Sequence, residues 1–254
     1  MGFFNKIFGE DKENSGSSQK IRAQYKDINY FNKEIERIDL WMKDDEEDFQ
    51  VYKEKNGKLE NHHYIEACNI RLQKIQNIYS KGEKIEVLSP VLDEALGFLF
   101  QADPKEFTDN SLFLKCCSLL VLLKKQQEYK SEIQNFISVW QKESTASEFK
   151  PIPLLYFIME ATNDSTSTND YPPFILLENI TSLSTKEAEE AVKKYLEDWY
   201  NLHQEDAWYN SHLRDWGYSG YWAWEVGAVV KRMGLNDNSF KDNPYYPYDM
   251  VHWK

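Results

Sequence analysis

His203, Glu205, Asp206, His212, Asp215 and Glu225 fall in one short stretch of this 254-residue chain, interleaved with Trp199, Trp208, Trp216, Trp222 and Trp224. Imidazoles beside carboxylates can exchange protons near neutral pH, and burial among tryptophans holds a carboxyl toward its protonated form, so acid–base chemistry is the first reaction class to weigh. The minimum sets for covalent and metal chemistry are missing: the chain has no Gly-x-Ser-x-Gly elbow, no phosphate-cradling glycine loop, no His-Glu-x-x-His and no cysteine paired with a recognisable base. His62 and His63 are adjacent. Neighbouring side chains on a helix point about 100° apart, so these two do not chelate one metal and read as surface or capping residues. No catalytic residue, metal site or cofactor is assigned. Glu225, between Trp224 and Val226, is instead read as an acid in a structural polar network, and it needs a partner that Arg214, His212 or a tyrosine hydroxyl can supply. The competing reading is a hydrolase-type enzyme whose cleft is lined by His203, His212, Glu225 and the tryptophans.

Negative charge is the second signal. Lys and Arg number 30 against 42 Asp and Glu, a net charge of -12. Phosphate recognition requires clustered Lys and Arg, so direct nucleic-acid binding is not expected, whereas a basic protein partner fits. Solubility is the simpler account of the bulk charge. The densest negative groups are Asp44, Asp45, Glu46, Glu47 and Asp48, followed by Glu197, Asp198, Glu205 and Asp206, and these are the candidate partner-binding acids. Five successive acids at a helix C-terminus would oppose the helix dipole, so the first run is expected in a loop.

These groups need a frame, and it is helical. Aromatic residues make up 15% of the chain while Gly and Pro number only 10 and 8, a balance that favours long helices over turns. Ile21, Tyr25, Ile28, Ile35, Ile38 and Met42 form one stripe on a first helix beginning near Lys20. A second helix runs from Asn61 to Ser80 and stops at Lys81-Gly82. A third carries Leu88 to Phe100, with Pro90 tolerated if it falls in the first turn or marks a kink. Ser111 to Lys125 is apolar all round yet shorter than the ~20 residues of a membrane span, so it is a core helix. Its hairpin partner bears Tyr129, Ile133, Phe136, Ile137 and Trp140. Short apolar segments follow at 153–160 and 174–180. Ser184 and Glu187 form a capping box opening a long helix whose buried face includes Ala188, Val192, Tyr195, Leu196 and Trp199. The last amphipathic helix is expected from Gly220 to Met233 with Gly234 as its cap, and Asp237 and Asp249 as caps of short terminal helices. The result is an all-α, multi-helix bundle in two fused lobes: a flexible tail over 1–19, an amino-terminal domain over 20–142 and a carboxy-terminal domain over 143–254. Cys68, Cys116 and Cys117 are odd in number and without a Cys-x-x-Cys pair, which suits a reducing compartment. MGFFNKIF is too short for a signal-peptide core, and Lys6 stands where a myristoylation signal wants Ser or Thr, so a cytoplasmic location without a membrane span is expected.

In order along the chain come KYLEDWY, WYNSH, GYWAWEVGAVVKRMGLNDNSF and DNPYYPYDM. This succession resembles the carboxy-terminal domain of the PoNi family, immunity proteins that neutralise polymorphic DNase toxins of the PoNe type in interbacterial competition. The resemblance implies an all-α, non-enzymatic protein that binds a cognate basic DNase toxin, without cofactor or direct contact to nucleic acid. It also implies family-motif, structural roles for Trp199, Tyr200, Trp208, Tyr209, His212, Tyr221, Trp222, Glu225, Asp237, Tyr246, Pro247 and Asp249. A helical scaffold without a toxin partner is the remaining alternative.

Overall fold

A computed structural model describes residues 20–145, 149–162 and 170–254, and among them every regular element is helical. The all-α, multi-helix expectation holds. The tail over 1–19, residues 146–148 just past the expected domain division, and residues 163–169 between the two short apolar segments lie outside the described residues.

Helix α1 spans Ile28–Asn56, starting later and ending later than its stripe suggested. Asp27 sets the start, its carboxylate accepting the Tyr30 amide at 2.8 Å. Ile21 and Tyr25 therefore precede the helix, in a lead-in held to the next helix by the Arg22 and Ala23 amides, 3.0 and 3.2 Å from the Ser80 carbonyl. The end corrects a second expectation: Asp44, Asp45, Glu46, Glu47 and Asp48 are helical, not in a loop. The helix continues past them to Lys53 and Lys55 before Gly57 closes it at φ 82. The acids thus sit away from the negative end of the dipole, which the two lysines complement. Glu47 pairs with Lys43 at 3.7 Å and Glu46 with Arg71 of the next helix at 3.1 Å.

Helix α2 (Asn61–Lys81) opens on a capping box in which His63 Nδ1 accepts the Glu60 amide at 3.1 Å, and it ends on left-handed Gly82. Next come α3 (Leu88–Leu99), with Pro90 in its first turn, α4 (Asn110–Leu122), capped by Asp109, and α5 (Lys130–Glu143). Phe113 of α4 stacks on Phe136 of α5 with ring centroids 5.0 Å apart, and Trp140 is fully buried beside them. Two short helices, α6 (Pro153–Met159) and α7 (Pro172–Ile180), each begin on a proline, where the missing amide costs nothing. Helix α8 (Thr185–Leu202) has the expected Ser184–Glu187 capping box.

Helix α9 covers Trp224–Met233, not Gly220–Met233, and ends at Gly234 with φ 64. Residues 219 and 220 are committed elsewhere: the Ser219 and Gly220 carbonyls accept from Ser80 Oγ and Gln76 Nε2 of α2, both at 2.6 Å. Gly220 sits at φ +98, where a Cβ would collide with the Ser80 hydroxyl and the Trp222 indole. Helix α10 is the single turn Tyr248–Val251. Asp237 and Asp249 are not its caps; Asp237 is buried and accepts from Tyr246 and His252, while Asp249 pairs with Arg22 at 2.6 Å. Helix α9 packs on α4, and a large cluster with buried side chains from α1 through α10 crosses residue 142, while Ile38, Met42 and Ile70 form a small separate one between α1 and α2. The three cysteines are free and buried within it. Among the described residues no helix is long and apolar enough to cross a membrane.

A candidate cleft walled by aromatic side chains

The helix ends converge on a cleft of about 460 Å³. The last turns of α8 deliver Trp199 and His203, the loop after it Asp206 and Trp208, and the first turn of α9 Trp224 and Glu225. Opposite stand Gln73 and Gln76 of α2, Lys115 of α4 and Tyr171 at the start of α7.

Glu225 accepts the Trp199 indole N–H at 2.8 Å. Burial pushes its carboxyl above the ordinary carboxylate range, against the opposing pull of His203 and of the Trp199 bond. The partner is therefore an indole, not Arg214, His212 or a tyrosine hydroxyl. His203 is 5% exposed and its Nδ1 lies 2.6 Å from the Trp199 carbonyl. A carbonyl only accepts, so Nδ1 donates, and in the neutral ring Nε2 is an acceptor with no partner among the described residues. Tyr171 donates to both carboxylate oxygens of Asp206, at 2.9 and 2.8 Å, and burial raises the Tyr171 hydroxyl. Tyr195, buried behind this group, has no hydrogen-bond partner for its hydroxyl among the described residues.

His212 does not join Glu225. It lies in a second network, with Nδ1 2.8 Å from the Tyr221 hydroxyl and its ring stacked on Tyr25 at 4.2 Å. Burial pulls its pKa below the ordinary imidazole value. The cleft imagined for a hydrolase thus forms with His203, Glu225 and Trp199, Trp208, Trp222 and Trp224, but without His212. Among the described residues no cluster of three His, Cys, Asp or Glu side chains is placed to hold a metal.

The other motif positions make specific contacts. Tyr200 stacks on Tyr209 at 4.4 Å and donates to Asn210 at 3.0 Å. Trp222 donates to Ser80 at 2.8 Å, tying the loop before α9 to α2. Pro247 packs so closely on Gly227 that any Cβ there would strike its ring. The candidate acids divide: Asp44, Glu46, Glu47, Asp48, Glu197, Asp198 and Glu205 are exposed, Asp45 is half-buried, and Asp206 turns into the cleft. Burial, then Glu66, raises the Asp45 carboxyl.

A neighbouring groove was not apparent from sequence. Arg37 lies between the Trp41 and Trp216 rings, 4.7 and 5.2 Å from their centroids, and both tryptophans are exposed, at 38% and 57%. Buried Glu34 holds this arrangement, pairing with Arg37 and accepting the Gly217 amide at 3.0 Å. The groove shares Gln73, Trp208 and Gly217 with the cleft. Its signal in the sequence was Trp41, which falls off the buried stripe of α1.

Residues 153–250 match the family model described as PoNe immunity proteins (PoNi), C-terminal. That span carries every motif on which the resemblance rests. The fold is similar to the crystal structure of protein PA2201 from Pseudomonas aeruginosa, with TM-score 0.62 and 16% identity over 92% of this chain and 90% of that one. At that identity the likeness is one of fold. No curated protein sequence matches the chain.

Proposed function

We propose that this protein is an immunity protein that binds a cognate antibacterial DNase toxin and neutralises it through a protein–protein interface, without catalysis. The match of residues 153–250 to the PoNi carboxy-terminal model carries the reading. Charge supports it: a nuclease that grips DNA phosphates is basic, and a partner of net charge -12 complements it, speeding encounter and selecting against other partners. The exposed acids Asp44, Glu47, Asp48, Glu197, Asp198 and Glu205 are the steering groups in this reading. The groove around Trp41, Arg37 and Trp216 supports it further, because two exposed tryptophans flanking a half-buried arginine are residue types that anchor protein interfaces. The site of action is the cytoplasm of the producing cell or its sisters, where the toxin would meet the chromosome.

Co-expression with the toxin encoded beside this gene tests the proposal. Growth should be rescued and the two proteins should co-purify. Toxicity that persists while folded protein accumulates would sink it.

A further inference from the structure

The cleft beside Glu225 has a chemistry that selects its occupant. Its ionisable lining is Asp109, Asp206 and Glu225 against Lys115, and the tautomer of His203 presents an acceptor. An anion would face three carboxyl groups with one lysine in its favour. A guanidinium brings five N–H donors and no acceptor, is weakly hydrated, and stacks on aromatic faces. An ammonium is more strongly hydrated and lacks the planar fork. We propose that the cleft is the anchor pocket for an arginine side chain of the toxin, with the guanidinium donating to Glu225, Asp206 and His203 Nε2 and lying against the half-buried Trp208.

The geometry suits a charged fork. Among the described residues Glu225 spends one oxygen on the Trp199 indole and the Asp206 carboxylate receives the Tyr171 hydroxyl, so both carboxylates retain lone pairs for a ligand. His203 is nearly fully buried, tied at Nδ1 and, among the described residues, unpartnered at Nε2, a ring positioned for an incoming donor. A volume of about 460 Å³ holds an arginine side chain with flanking backbone. Burial raises the Glu225 carboxyl, and an arriving cation favours its ionised form, so the pocket gains most from a ligand of permanent charge.

The inference rests on the immunity reading, and the test separates the two. Glu225→Gln and Asp206→Asn remove the charges but keep an oxygen to accept from Trp199 and Tyr171, so the fold should survive. Calorimetry with the purified full-length toxin should show affinity lowered about ten-fold or more by either variant, with the melting midpoint not reduced. N-acetyl-arginine amide should quench tryptophan fluorescence saturably in the wild type, and the uncharged citrulline analogue should not. Wild-type toxin affinity in both folded variants overturns the pocket while leaving the immunity reading intact. A wild type that does not bind the toxin at all overturns the immunity reading and this assignment together.

Discussion

Arg71 of α2 holds Glu46 of α1 at 3.1 Å, with its guanidinium 4.3 Å above the Phe98 ring and its side chain 3% exposed. A buried cation needs partners, and Glu94 at 3.4 Å and the Ala67 carbonyl at 3.2 Å complete the set. The acidic run is therefore part of the helix packing and not only a charged surface. Arg71→Ala should cost about 2 to 4 kcal/mol in urea unfolding, through lost packing and unpaired acceptors. Glu46→Gln should cost about 1 kcal/mol or less, since Glu46 is largely exposed and Glu94 remains. Hydrogen exchange over residues 44–56 should rise in Arg71→Ala; unchanged protection there would refute the pinning role.

Trp222 is 7% exposed, donates to Ser80 and packs edge-on against Tyr79 at 4.8 Å. Trp222→Ala should lower stability by about 3 to 5 kcal/mol. Denaturant midpoints measure this directly. A variant that melts like the wild type but no longer protects against the toxin would move Trp222 from the core to the interface.

The two cases show what the sequence could and could not disclose. Stripes such as Leu72, Ile75 and Tyr79, and local caps such as Ser184 with Glu187, are set by neighbours a turn away, and those elements formed where their pattern placed them. Asp44 to Asp48 failed as a loop because what stabilises them is remote: Arg71 on another helix and the lysines beyond. Trp222 and Gly220 fell outside the last helix for the same reason, since Ser80 and Gln76 compete for the backbone there. Glu225 was legible as an acid needing a partner, but its choice of Trp199 over His212 depends on how α8 meets α9. Asp237 looked like a cap because short polar side chains before a turn usually are.

Asp237 offers a test of that correction. It is 6% exposed and accepts from the Tyr246 hydroxyl at 3.0 Å and His252 Nε2 at 2.6 Å. Asp237→Ala would leave the buried Tyr246 hydroxyl unpaired and should cost about 1 to 3 kcal/mol. Double replacement with Tyr246→Phe should recover part of the loss, because both ends of the bond are then absent. Strict additivity of the two changes would argue against a direct coupling.

Glu225 predicts a pH dependence of definite sign. Its carboxyl titrates above the ordinary range in the folded state because burial disfavours the charge. Between the unfolded and folded values the native state binds more protons than the unfolded chain, so this residue makes stability fall as pH rises through that window and level off above it. Glu225→Gln lacks the penalty while keeping an acceptor for Trp199. The variant should match the wild type near pH ~4, where both are neutral, and exceed it near pH ~8. Urea midpoints at the two pH values decide the matter, and a variant less stable than the wild type at pH ~8 contradicts the burial argument.

The exposed acids separate a steering surface from a solubility trait. Asp44, Glu47, Asp48, Glu197, Asp198 and Glu205 are exposed, and among the described residues their ion pairs are Lys43 with Glu47 at 3.7 Å and Lys193 with Glu197 at 3.8 Å. Such pairs contribute little to folding, so replacing all six acids with Asn and Gln should leave the melting midpoint nearly unchanged. Glu46 is kept, because it partners Arg71, and Asp206 is kept, because it lines the cleft. If the toxin is steered by this charge, stopped-flow association at low salt should slow about ten-fold or more in the variant. Near 0.5 M salt the Debye length falls to about 4 Å, and the two association rates should converge. Dissociation should change much less, since long-range attraction acts before contact while the buried anchors hold the complex afterwards. Equal rates and equal salt slopes would remove electrostatic steering from these six positions and leave recognition to the aromatic cleft and the Trp41–Trp216 groove.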